Sequence, residues 1–477
     1  MGISGRLLEG VKSLYKDVKY TVRVNGHLSP WFQAPRGVKQ GCLISPLLFS
    51  LYVNDLAETL NDLNCGIDVH DKNIGVLLYA DDIVLIAPSE DKLQRMLDRV
   101  HEWCYKWRIS VNQKKTKVMH FRPKTVNCTQ TIFTIGDINI SCAENYRYLG
   151  IWLNEHLDFS VAINELAKSA SRALGALCTK YFDAGGFSYE VFTKLYESLV
   201  QPITLYGSAI WGLYEQKRLN TIQNKACKFF LGLRRNSSNT AARGDMGWTS
   251  NVTKQRLEVY RYLNRLHNMP HHRLPYSVHV WSRCRGQSWE NNVFKLAKRL
   301  NIFDYINEQH IDLQHLRRRL FQIDESQWFG ELWNDRGNPN GNKLRTYRLV
   351  KKDLKPEPHV ICQNLPRNIR KYLSLLRCGS LQLNIENLRY SRPLVPLCDR
   401  VCPFCPNKVE SEIHFLMECT MYNDIRYNIM SEMEDIVPSF SSLDSLQQFI
   451  CILTTPNVMY ILCHSISSMF KRRQLFF

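Results

Sequence analysis

The tightest constraint on this chain is a ten-residue run, Leu77-Leu78-Tyr79-Ala80-Asp81-Asp82-Ile83-Val84-Leu85-Ile86, in which two adjacent acids interrupt two apolar stretches. Stretches of this length and branched content read as strands, and the polar break reads as a tight turn. The run therefore predicts a β-hairpin that buries its apolar side chains and presents both carboxylates. Neighbouring carboxylates repel each other and are costly to desolvate, so they persist where a cation shares the site. Magnesium fits, because it takes one or two carboxylates and fills its remaining positions with water and phosphate oxygens. On these letters alone a solvated Asp-Asp turn is the simpler alternative.

An upstream block favours the cation. In Arg36-Gly37-Val38-Lys39-Gln40-Gly41-Cys42-Leu43-Ile44-Ser45-Pro46-Leu47-Leu48-Phe49, a glycine-containing loop is followed by a serine and proline that start a helix. Such a loop beside a carboxylate pair can lie under a nucleotide or template strand, where only glycine permits close backbone approach. Together the two blocks resemble motifs B and C of reverse transcriptases. The form RGVxQGCxxSPLLF with YADD is similar to the non-LTR (LINE-type) retrotransposon enzymes more than to the retroviral or group II intron ones. The resemblance implies catalytic, magnesium-holding Asp81 and Asp82, with Arg36, Gln40, Gly41, Ser45 and Tyr79 bordering the nucleotide and template.

Upstream of these blocks the spacing predicts a helix from Gly5 to Tyr15 and a strand over residues 20–24 that ends in the turn Asn25-Gly26. Motif A, whose aspartate completes the metal site in the resembled family, is expected before residue 1; Asp17, between Lys16 and Val18, sits in the wrong context. Two-metal phosphoryl transfer needs carboxylates bridging ions about 3.5–4 Å apart. The chain is therefore expected to be a C-terminal portion lacking endonuclease, fingers and motif A, and to be inactive alone.

Downstream, Leu93, Met96, Leu97, Val100, Trp103, Cys104 and Trp107 form a core stripe on a helix from Glu90 to Trp107. Residues 109–121 predict a strand, a basic turn and a second strand, similar to motif D, in which Lys115 or Lys117 would approach the triphosphate; a solvated basic turn is equally compatible. A strand pair is expected around Gly136-Asp137. Tyr148, Leu149 and Gly150 then match the YLG block of the family, which implies a primer-supporting hairpin.

From residue 158 the sequence turns helical. One stripe runs through Ile163, Leu166, Ala167, Ala170, Leu174 and Leu177, and a second through Val191, Leu195, Leu199, Val200, Ile203, Leu205, Tyr206, Ile210 and Trp211. A third, around Ile222, Ala226, Cys227 and Phe230, carries Lys225, Lys228, Arg234 and Arg235. The resemblance implies a thumb tracking a hybrid duplex through its backbone, which gives affinity without sequence readout. Helices are expected over 252–266 and 289–300, and a turn-rich linker over 334–342. Beyond the linker, Lys343, Arg345, Arg348, Lys351, Lys352 and Lys355 interleave with Tyr347, a pattern suited to phosphate contacts with stacking.

The strongest signal outside the hairpin is Cys402-x2-Cys405-x8-His414-x4-Cys419. Two cysteines at this spacing share a tight turn around one tetrahedral ion, and His414 with Cys419 closes it. Three thiolates and one imidazole with no open position describe a structural zinc site. Its surroundings resemble the C-terminal cysteine–histidine domain of many non-LTR proteins, thought to bind nucleic acid.

The chain holds 62 Lys and Arg against 44 Asp and Glu, a net charge of +18 that favours polyanionic partners through counterion release. No apolar run reaches the roughly 18 residues of a membrane span. Sixteen cysteines, mostly scattered singly in apolar patterns, read as reduced thiols of an intracellular protein. Nuclear residence follows from the need to meet chromosomal DNA.

The expected fold class is α+β: a partial right-hand palm of antiparallel sheet with helices (1–157), a helical thumb (158–248), a basic, mostly helical connector (249–375) and a small zinc-binding domain (376–477). The expected function is that of an RNA-directed DNA polymerase using Mg2+ and Zn2+, with RNA template, DNA primer or RNA–DNA hybrid and deoxynucleoside triphosphates as partners and no membrane. The alternative is a non-catalytic nucleic-acid-binding remnant with a structural zinc.

Overall fold

The computed structural model describes residues 4–33, 37–39, 41–285, 288–306, 311–334 and 343–476. Arg36, Gln40 and most of the expected linker, residues 335–342, lie outside the described residues. The chain forms two compact units that divide after Tyr146.

The first unit mixes helices with separate two-stranded antiparallel ladders. The α+β expectation holds, whereas the single antiparallel sheet gives way to these ladders. Turns set by left-handed residues join the strands in pairs: Asn25 and Gly26 (φ 49° and 88°) link Arg23–Val24 to His27–Leu28. Gly136 (φ 56°) links Phe133–Ile135 to Ile138–Ile140, as its turn letters predict. The helix Glu90–Trp107 has the expected bounds. Ser89 caps its first turn by accepting from the Lys92 N–H, Glu90 and Asp91 complement its positive end, and Arg108 closes it at φ 56°. Its buried face, Met96, Val100, Trp103 and Cys104, packs with Val53, Leu56 and Leu60. Residues 109–121 depart from expectation. The asparagine at 112 accepts from Lys115 and Thr116, making a local turn, and Val118 only bridges Cys142, so no strand pair forms there.

The second unit is mostly helical around one large core that runs from Ala170 to Phe470. The first predicted stripe is largely buried on the helix Ser160–Asp183. The second is borne out in part: Val200 and Trp211 are buried and Leu195, Ile203 and Leu205 half-buried, while Val191, Leu199, Tyr206 and Ile210 are exposed and Phe192, Tyr196 and Thr204 are buried in their stead. A π-helical turn at Tyr196–Val200, with its i→i+5 bonding, breaks the regular helical period from there on. Helices Asn251–His267 and Trp289–Arg299 match expectation, and a further helix, Leu313–Leu332, carries Arg317, Arg318 and Arg319.

The basic stretch after the linker is corrected. Tyr347 is fully buried with its hydroxyl donating to the Ala241 carbonyl, Lys351 is buried against Glu357, and Arg345 pairs with Glu386 and Glu412. Charges held by buried acids serve the core, so this is no phosphate track; Lys352 and Lys355 alone of that set are exposed. Among the described residues no single helix is long and apolar enough to cross a membrane.

Candidate active site and metal centre

The hairpin forms as predicted. Strands Val76–Tyr79 and Asp82–Leu85 pair with Val76 opposite Leu85 and Tyr79 opposite Asp82. Val76, Leu78 and Leu85 pack toward the core that the helix Glu90–Trp107 also lines. Period-two alternation sends Tyr79 and Asp82 to the other face, and both are exposed. Asp81 sits in the turn beside Ala80, whose φ of 52° is left-handed. Asp81 thus lies in the two-residue turn and Asp82 opens the second strand, both of them exposed.

Before the helix Ser45–Tyr52, Gly41 turns the chain at φ 83°, and a β-carbon built there meets nothing within 4 Å. Backbone conformation, then, is what demands glycine, and the space over it is open. Ser45 is buried; its hydroxyl donates to the Lys39 carbonyl (2.6 Å) and lies 3.0 Å from the Tyr15 hydroxyl. The serine therefore fixes the loop from below. Sequence reasoning had no signal for this, because Tyr15 lies 30 residues away. The backbone N–H of Ile44 draws the Cys42 thiol below its usual range.

Lys115 and Lys117 are both exposed. The Lys117 ammonium donates to the Ser141 hydroxyl at 2.7 Å, while the Lys115 carbonyl accepts from Tyr146. In the second unit Leu149 and Gly150 both take positive φ in a tight turn between Asn145–Tyr148 and Ile151–Asn154. Tyr206 donates to the Leu149 carbonyl at 2.5 Å and packs over Gly150.

Cys402, Cys405, His414 and Cys419 converge, their ligand atoms all within 4.8 Å of one another. Cys419 Sγ stands 3.8 Å from both Cys402 Sγ and Cys405 Sγ. Thiolates bound tetrahedrally at about 2.3 Å stand roughly 3.8 Å apart, so the sulfurs have the spacing of an ion-filled site. A bridge between Val401 and Val409 closes the knuckle, and Arg426 donates to the Cys419 carbonyl. His414 turns Nδ1 toward Glu418, and its buried Nε2 has no hydrogen-bond partner. That is the arrangement of an imidazole ligating through Nε2 while a carboxylate orients the ring. The hydrogen bond shared with Cys419 draws the Cys402 thiol below its usual range.

Comparison with known proteins agrees with this geometry. The family model "Reverse transcriptase (RNA-dependent DNA polymerase)" matches residues 6–153. The RNA-directed DNA polymerase from mobile element jockey of Drosophila funebris is 26% identical over 227 residues, covering 46% of this chain and 24% of that protein. The probable RNA-directed DNA polymerase from transposon X-element of Drosophila melanogaster is 24% identical over 265 residues, covering 54% of this chain and 28% of that protein. The Pol polyprotein from the type-1 retrotransposable element R2 of Nasonia vitripennis is 29% identical over 159 residues, covering 32% and 15%. The chain thus spans about a quarter of the length of the first relatives it matches. With the RGVKQGC loop, the YADD hairpin and these relatives in agreement, residues 6–153 belong to the reverse transcriptase family in its non-LTR retrotransposon branch.

Proposed function

We propose that this chain supplies the YADD half of the catalytic palm, the thumb and a zinc-stabilised C-terminal region to an RNA-directed DNA polymerase. The exposed Asp81–Asp82 turn carries the reading. There the two carboxylates would hold Mg2+, which lowers the barrier to attack by a primer 3′ hydroxyl and neutralises the departing pyrophosphate. Tyr79 shares the face of Asp82, Gly41 leaves open space above the loop, and Arg36 and Gln40 border the same loop in sequence. Lys115 or Lys117 would assist pyrophosphate departure, and Tyr148, Leu149 and Gly150 would support the primer strand. Lys225, Arg234 and Arg235, exposed beside the helix Lys217–Leu231, suit the phosphates of a hybrid duplex. Cys402, Cys405, His414 and Cys419 would hold a closed, structural Zn2+. Work on chromosomal DNA would place the protein in the nucleus.

The test is magnesium-dependent primer extension on an RNA template by the purified 477-residue chain beside Asp81→Asn. Extension by the parent that falls at least about a hundredfold in the variant supports catalysis at this turn. If neither protein extends a primer while both bind duplex with steep salt dependence, the chain is a binding module and the catalytic reading fails.

A further inference from the structure

A second cluster of metal-ligating side chains lies far along the sequence from both sites above. His267 ends the helix Asn251–His267, His279 lies on the helix Leu274–Arg283, and Glu290 lies in the first turn of the helix Trp289–Arg299. One ligand atom from each lies within 4.8 Å of the others. His267 Nε2 is 2.8 Å from Glu290 Oε1, and His279 Nε2 is 3.6 Å from the same oxygen. The side chains are 5%, 6% and 1% exposed.

We propose that His267 Nε2, His279 Nε2 and Glu290 Oε1 bind a divalent metal ion of the zinc class, leaving a fourth position for water.

An ion pair alone does not account for the arrangement. Arg283 Nε lies 3.0 Å from Glu290 Oε2 and His267 Nε2 lies 2.8 Å from Oε1, so one guanidinium and one imidazole already face the two carboxylate oxygens. The second imidazole is then superfluous. His279 Nε2 is nevertheless buried and aimed at the same oxygen without making a hydrogen bond. A buried polar atom left in that state is unfavourable, and a Lewis acid between the three ligand atoms would give it a partner. Nitrogen and oxygen ligands bound tetrahedrally at about 2.0–2.1 Å stand roughly 3.3 Å apart, and the observed 2.8 and 3.6 Å bracket that value. Two imidazoles with one carboxylate form a borderline donor set that favours zinc over magnesium or calcium. Arg283 orients the carboxylate through its other oxygen. The ion would pin the end of one helix, the middle of a second and the start of a third around the core containing Val259, Leu263, Val293 and Leu296.

The test is metal counting on the purified full-length chain, dialysed against zinc and then against metal-free buffer. The parent is expected to retain about two zinc ions, and His279→Ala and Glu290→Gln about one each. Cys402→Ser with Cys419→Ser should remove the other ion and leave this one. A parent holding one ion that vanishes with the cysteine pair, and is untouched by His279→Ala, overturns the proposal. Cobalt titration of the parent needs no folded variant. Two binding events, one without sulfur-to-cobalt charge transfer, support the site; a single event with sulfur character refutes it.

Discussion

At the scale of single residues, the hairpin turn carries a conformational cost at the end that presents its two acids. Ala80 takes φ 52° in a two-residue turn where asparagine or glycine is the usual solution, and an L-residue there costs about 1–2 kcal/mol. Alanine has no side chain able to compensate locally, whereas asparagine tolerates the left-handed region by bonding its own backbone. Ala80→Asn is therefore expected to stabilise the first unit by about 0.5–1 kcal/mol in urea denaturation. Equal or lower stability would mean that the turn is not held in this conformation. The carboxylate pair itself was legible in the sequence because period-two alternation fixes which face Asp82 takes. The role of Ser45 was not, because its partners, the Lys39 carbonyl and the Tyr15 hydroxyl, are brought to it by tertiary structure.

At the scale of elements, periodicity read well wherever the helix kept its ordinary pitch. Glu90–Trp107 shows its apolar stripe, its cap and its acidic first turn in the letters, and the structure has the same bounds. Tyr189–Leu195 and the π turn after it read less well: Val200 is buried as its letters predict, but Phe192 and Tyr196 are buried where the letters put Val191 and Leu199, and the π turn breaks the regular period. The two registers make opposite claims about stability. Phe192 is fully buried among Tyr181, Phe230 and Trp248, so Phe192→Ala is expected to cost about 3–5 kcal/mol. Leu199→Ala, on the exposed face, should stay within about 0.5 kcal/mol. Comparable costs from denaturant midpoints would restore the regular helical register. The basic stretch around Tyr347 misled for a related reason: composition shows charge, but not the acids, Glu357, Glu386 and Glu412, that the fold brings to meet it.

At the scale of the second unit, the core that begins at Ala170 is locked by a buried polar hub. Arg377 Nη2 is 2.6 Å from Glu357 and 3.2 Å from Asp245, and Lys351 lies 2.6 Å from the other oxygen of Glu357. Two cations and two acids balance, so a further charge has no place there. His359, within 3.5 Å of Asp245 and 3.2 Å of the Ser374 hydroxyl, completes the hub as a neutral ring. Burial, reinforced by Arg377, holds its pKa well below the usual histidine range, with Glu357 opposing. The sign follows from linkage: in the unfolded chain the ring takes up a proton near pH 6.5, whereas in the folded chain it does not. The unfolded state then binds more protons below about pH 6.5, and stability falls with acidification by up to about 1.4 kcal/mol per pH unit for this group. His359→Gln keeps a polar atom near Ser374 and cannot titrate. Its stability measured in urea at pH 7, 6 and 5 is expected to fall less steeply than the parent's, and the difference between the two slopes isolates His359 from every other histidine. Parallel slopes would show that the ring already accepts a proton in the folded state, and that the hub holds a fifth charge.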